Sequence, residues 1–359
     1  MNKEEQEAMI ELADGIYFNM PEAQYHALDR LSTSGIKKLL VSPLQFYTET
    51  FDEMFVRPET KFLTAGKAYH KRILEGQKAF EDCYVQKLSK AQYPDALDKQ
   101  DELKGWCKSH DLAVGGTKPV LIERILDCEP SMKDNILSLL QAAFDKEHAH
   151  QQQLEREEYI EIEKAAAILE ATHLGMHFSS GFPEVSILWT DEATGVKCKA
   201  RIDYLRHDLL SDLKTFSNSQ RKSIPVCISQ AIAYQRYNIQ ACFYMNGLKA
   251  IKKMLAEKKA FVDDDSSGDF LQLLIDNEQE FVFVFQESGQ VNNCAARKFV
   301  PKYHGMTNNY WDMTQETIYL MMDKYSSFMK SHGKTLPWIE HQETETFDDS
   351  DFPVWMLEQ

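Results

Sequence analysis

Between residues 182 and 216 the chain reads FPEVSILWTDEATGVKCKARIDYLRHDLLSDLKTF. Three short runs of strand-forming residues are separated by turn-forming ones, with Asp191 to Gly195 between the first two, and a β-meander is the simplest structure that such a run can take. Side chains two apart on a strand share a face, so Asp212 and Lys214 must project together while Leu213 enters the core. Asp203 lies nine residues before Asp212, a spacing that lets a hairpin bring the two side by side, and Glu184 begins the preceding strand. Carboxylates so placed bind Mg²⁺, and a neighbouring ammonium can orient or deprotonate a water for attack on a phosphodiester.

Helical patterns flank this run. An extended arm and a helix are predicted in GIYFNMPEAQYHALDRLSTSGIKKLLVSPLQFY (15–47), with Ser34 or Ser32 as N-cap, Ile36, Leu39 and Leu40 as the apolar face and Pro43 as the stop. A second helix is expected at about 64–75, and residues 131–172 read as predominantly helical around a polar middle, DKEHAHQQQLEREE, that is either a solvated helix or a linker. Further helices are expected at about 222–234, 236–250 and 311–332, and a buried strand at 281–288 (FVFVFQES). The fold class is therefore α/β (α+β), with a sheet flanked by helices.

The formal charge of −16 argues against a general polyanion binder until it is divided along the chain. Residues 145–163, 261–280 and 340–359 each hold seven acids with at most two bases and together carry −19, which leaves +3 for everything else. A mildly positive body with acidic appendages is compatible with a nucleic-acid substrate. The seven cysteines are scattered without a C-x-x-C pair, which disfavours a disulfide framework or a thiolate metal cluster. The longest apolar runs, such as FVFVF (281–285), are too short to cross a membrane, and MNKEEQEAMIELAD lacks the order of a secretory signal, so a cytoplasmic protein is expected.

Downstream of the meander, Gln240 and Tyr244 stand four apart on one helical face, and upstream His70 sits in the helical GKAYHKRILEG. Taken in order, His70, Glu184, Asp203, Asp212 with Lys214, and Gln240 with Tyr244 resemble the PD-(D/E)XK nuclease superfamily. Within it they resemble the RecB-like branch marked by a Q-x-x-x-Y helix, and most of all the RecE-type exonucleases (exonuclease VIII), whose arm is similar to YHALDRLSTSGIKKLLVSPLQFY. The resemblance implies a central mixed sheet flanked by helices. It implies Asp203 and Asp212 as the main metal ligands, with the Leu213 carbonyl as a third contributor. Glu184 would serve a second metal or its waters, and His70 would complete the site. Lys214 would position and activate the nucleophilic water, and Gln240 and Tyr244 would contact the phosphate backbone or brace the site.

The segment DELKGWCKSHDLAVGGTKPVLIERIL, two amphipathic stretches around Gly115–Gly116, resembles a SAP motif, in which Thr117, Lys118 and Arg124 would hold a DNA phosphate. Its net charge over 95–128 is −2, so only the Lys118 and Arg124 side can serve. The division implied is an N-terminal arm and helices (1–94), the SAP-like insert (95–128), the nuclease core with its catalytic sheet (129–338) and an acidic tail (339–359). Phe352, Val354, Trp355, Met356 and Leu357 make that tail a candidate docking segment. By resemblance the activity is a Mg²⁺-dependent exonuclease, with Mn²⁺ as a substitute metal, that digests linear double-stranded DNA from 5′ to 3′. Its 3′ strands would pass to a RecT-like annealing protein, and its subunits would form a homo-oligomeric ring. The rivals are an endonuclease or repair-type nuclease of the same fold, and a non-catalytic DNA-binding scaffold.

Overall fold

The computed structural model describes residues 12–56, 61–264 and 267–340. The arm enters as strand β1 (Gly15–Tyr17) and passes through helix α1 (Glu22–Ala27) into α2 (Thr33–Val41) and α3 (Pro43–Thr50). Ser32 caps α2 by accepting the Gly35 N–H, and Ile36 and Leu39 are buried. Pro43 ends one helix as predicted and also starts the next. Ser42 accepts the Gln45 N–H at 3.0 Å, and proline occupies the first helical position, where a missing N–H costs nothing.

Helices α4 (Lys61–Leu74) and α5 (Gly76–Cys83) lead to strand β2 (Tyr84–Gln86). Then come α6 (Gln100–Ser109) and α7 (Lys118–Cys128), joined through Gly116 at φ +130°, a left-handed conformation suited to glycine. This pair has its own buried cluster of Leu103, Cys107, Leu121 and Ile125, completed by Met132 and Ile136 just beyond it. After α8 (Leu137–Glu147) the polar middle departs from expectation. Gln152–Leu154 is a strand, β3, paired in parallel with β2, and it buries Leu154 before α9 (Arg156–Glu170) begins.

The meander forms as β4 (Phe182–Thr190), β5 (Lys197–Leu205) and β6 (Leu209–Ser217). Helices α10 (Ile224–Gln235) and α11 (Tyr237–Ala256), strand β7 (Phe261–Val262) and helix α12 (Gly268–Asp276) then cross over to β8 (Glu280–Ser288) and β9 (Cys294–Phe299). A small pair, β10 (Lys302–Tyr303) and β11 (Met306–Thr307), precedes the long helix α13 (Asn309–Ser331). The sheet order is β7-β1-β4-β5-β6-β8-β9, with β1–β7 and β6–β8 parallel and the other pairs antiparallel.

Both faces of this mixed sheet are covered, which is why β8 is an unbroken apolar run. On one face Ile239, Phe243 and Leu248 of α11 pack on Ile187 and Trp189 and on the three phenylalanines of β8. On the other, Leu213, Val282 and Val284 meet Leu74 of α4 and Leu169 of α9. The architecture is the predicted α/β one. Among the described residues no helix is long and apolar enough to cross a membrane. The candidate docking residues Phe352 to Leu357 lie outside the described residues.

Candidate active site

Strands β5 and β6 pair at Tyr204↔Ser211 and Leu205↔Leu210 and then part. In the gap the Asp203 carboxylate takes the place of a ladder acceptor, and its Oδ2 receives the Leu213 N–H at 2.8 Å. Glu184 lies between the β4–β5 pairs Pro183↔Tyr204 and Val185↔Ile202, opposite Asp203, and its φ of +54° is left-handed. That conformation costs a non-glycine residue about 1–3 kcal/mol, and such strain concentrates at functional sites. From α4, His70 Nδ1 approaches Asp203 Oδ2 to 3.7 Å. The result is a set of one imidazole and two carboxylates, His70, Glu184 and Asp203, whose ligand atoms all lie within 4.8 Å of one another.

The electrostatics of this set suit a divalent cation. Burial, then the neighbouring Asp203, pushes the Glu184 carboxyl up to about 8, against the opposing pull of Arg201 at 3.9 Å. Burial also raises Asp203, although Lys214 and the Leu213 N–H work the other way. Burial and Lys214 push His70 down to about 4, so its ring is neutral and keeps a lone pair for coordination. The Leu213 backbone and Asp212 oppose that shift. Hard oxygens with one imidazole fit Mg²⁺ or Mn²⁺, and a bound cation would relieve the repulsion between the carboxylates.

Asp212 stands beside this set rather than in it. It is 1% exposed; its Oδ2 accepts Gln240 Nε2 at 2.5 Å and its Oδ1 forms an ion pair with Lys214 Nζ. Burial and Asp203 lift Asp212 to about 6, while Lys214 opposes them. Burial works against the Lys214 ammonium, but Asp212 and Asp203 outweigh it and hold the lysine above its ordinary value. Lys214 is thus a fixed cation that can orient a water, and of the two sequence-derived options, orientation and deprotonation, this arrangement favours the first. Its Nζ lies 5.2 Å from the centre of the Tyr237 ring. Tyr244, one turn beyond Gln240, is buried and meets Phe281 edge-on.

The structure therefore brings His70, Glu184, Asp203, Asp212, the Leu213 backbone, Lys214, Gln240 and Tyr244 together. It does not bring Thr117, Lys118 and Arg124 to them. Thr117 is the N-cap residue of α7, Lys118 pairs with Asp98 at 3.4 Å, and Arg124 binds the Ala113 and Gly115 carbonyls of the turn. Three neighbours escape the sequence reading: Arg201, Tyr237 and Lys37. Arg201 is two residues before Asp203 on the same strand, a signal that alternation offers; nothing local marks the other two. A cavity of about 680 Å³ adjoins the site, with Lys37, Lys199, Gln240 and Tyr244 in its wall.

The family described as "PDDEXK-like domain of unknown function (DUF3799)" matches residues 32–262, a span that contains every residue of the assembled site. Among solved structures the chain is similar to that of a "Putative exonuclease" from Eubacterium rectale, at 13% identity over 88% of each chain with a TM-score of 0.45. No curated protein matches. The chain, with its acid–lysine site set in a mixed sheet, belongs to the PDDEXK-like family.

Proposed function

We propose that this protein is a divalent-metal-dependent deoxyribonuclease of the RecE type, which degrades linear duplex DNA from 5′ to 3′ and leaves 3′ strands for an annealing partner. The observation that carries the reading is the donor set His70, Glu184 and Asp203 next to a buried Asp212–Lys214 pair. A bound Mg²⁺ supplies Lewis-acid stabilisation of phosphoryl charge and a more acidic water. His70, Glu184 and Asp203 would hold it, with the carboxylate of Asp212 at the border of the site. Lys214 orients the attacking water and offsets charge that develops on the phosphate. Gln240 fixes the Asp212 rotamer, and so fixes where the lysine points.

The RecE assignment also suggests a homo-oligomeric ring, in which enclosure rather than net positive charge keeps DNA bound. The SAP-like reading of residues 95–128 gains support from the separate buried cluster of α6 and α7. Phosphate binding there would require Lys118 and Arg124 to exchange their present partners.

The test is degradation of linear and closed circular duplexes, with and without Mg²⁺, by the wild type and by Asp203→Ala and Lys214→Ala. Metal-dependent loss of linear duplex alone, abolished in both variants, supports the proposal. Cutting of circles would assign an endonuclease, and equal activity in the variants would remove the site from the chemistry. End-labelled substrates report polarity, and light scattering reports subunit number.

A further inference from the structure

We propose that Lys37 is a substrate-phosphate contact of this site, placed beside the Asp212–Lys214 pair by helix α2; this rests on the nuclease reading above. Lys37 and Lys214 share one aromatic ring. Their Nζ atoms lie 5.4 and 5.2 Å from the Tyr237 centroid, so a residue of the N-terminal arm delivers a second ammonium to the active centre.

What separates Lys37 from the cations around it is the absence of an acceptor. Lys214 has Asp212, Lys38 has Glu49 at 3.3 Å and Lys334 has Asp29. Lys199 places its protons on the carbonyls of Tyr25, His26 and Leu28. Among the described residues Lys37 has neither a hydrogen bond nor an ion pair, and it is half-buried in the cavity wall that Gln240 and Tyr244 share. A partly desolvated ammonium with no acceptor and a like charge nearby is costly, and an anion in the cavity removes that cost. Burial and Lys214 accordingly hold Lys37 down at about 8, against the pull of Asp212. For an enzyme acting on a phosphodiester chain, the anion is a backbone phosphate of the bound strand. A lysine serves such a contact as a point charge that is blind to base sequence.

The experiment compares Lys37→Met, which keeps the apolar stem, and Lys37→Arg, which keeps the charge. Binding of a short linear duplex is measured without metal by fluorescence anisotropy over a series of salt concentrations, and KM and kcat are measured with Mg²⁺. Lys37→Met is expected to weaken binding about tenfold, as for one charge-assisted hydrogen bond. The effect should be the same for AT-rich and GC-rich duplexes, the slope of log K against log salt should fall by about 0.9, and KM should rise more than kcat falls. Lys37→Arg should recover most of the binding. Unchanged affinity and salt slope in Lys37→Met would overturn the proposal, as would weaker binding with the slope intact and a lowered Tm, the mark of a structural role. Lys214→Ala is the control for the underlying reading: if it still degrades DNA, the chemistry does not lie at the Asp212–Lys214 site and that reading fails, whereas an inert Lys214→Ala beside an unaltered Lys37→Met removes only Lys37.

Discussion

Gln240 Nε2 and Asp212 Oδ2 are 2.5 Å apart, and this bond ties the crossover helix α11 to strand β6 at the one carboxylate that also holds Lys214. The amide acts through Asp212, as a positioning group. Gln240→Leu should therefore lower kcat on linear duplex about 10- to 100-fold, the usual cost of losing a partner that orients a metal-site group. Tm should change little, because the leucine fills the space. Gln240→Glu should be worse still, since it sets a second carboxyl against Asp212. An active Gln240→Leu enzyme would show that Lys214 alone fixes Asp212.

The Asp212–Lys214 pair should be expensive to break from one side. Asp212→Ala leaves an ammonium in a buried setting, for a loss of about 3–5 kcal/mol. Asp212→Asn combined with Lys214→Met removes both charges and should be more stable than Asp212→Ala while equally inactive. Urea unfolding of the three proteins decides this. If the double variant is no more stable than Asp212→Ala, the pair's charges are not what the fold depends on.

Metal-free protein should lose stability as pH rises from about 6.5 to about 8. Glu184 is raised from 4.5 to about 8 in the folded state, so its stabilising proton is fully present below 4.5 and lost as pH climbs through the folded value. Asp212 behaves alike but has finished by about 6. His70 is lowered from 6.5 to about 4, so its contribution is present above 6.5 and lost as pH falls. Within the upper window the decline comes from Glu184, with the neighbouring Asp203, whose carboxyl burial also raises, acting in the same sense. Thermal melts in a chelator should show the decline, Glu184→Gln should flatten it, and Mg²⁺ should reverse it by binding the deprotonated carboxylates. A chelated wild type with a flat profile would contradict this.

Gly247 marks the contact of α11 with the sheet. A Cβ there would come within 2.6 Å of Trp189 Cζ3 and 2.9 Å of Ile187 Cδ1. Gly247→Ala should cost about 1–3 kcal/mol by overpacking, despite alanine's better helix propensity. Because α11 carries Gln240 as well, the variant should lose nuclease activity more than stability alone explains, measured at a temperature where it remains folded.

The strands and the acids on them are legible in the sequence because alternation fixes which side chains share a face, and D-L-K needs only two residues to do so. The helix of Gln240 and Tyr244 is legible for the same reason at its own period. Strand Gln152–Leu154 is not, since three mostly polar residues form a strand only through β2, a partner far away in the chain. Helix α3 was hidden by Pro43, whose two roles look identical locally. Lys37 and Tyr237 meet Lys214 only after the arm, the crossover and the meander have packed, so their place is a property of the tertiary fold.

The parallel register of β6 with β8, from Leu209↔Glu280 to Ser217↔Ser288, has a consequence during synthesis. When Lys214 leaves the ribosome its strand has an open edge, and three helices must still be translated before β8 arrives to cover it. A nascent chain ending short of Glu280 would present that bare strand to other chains, and parallel pairings of this kind are slow to close. Chaperone dependence and aggregation of fragments that end before β8 should follow, and a cell would acquire the enzyme's cutting power only once β8 has emerged.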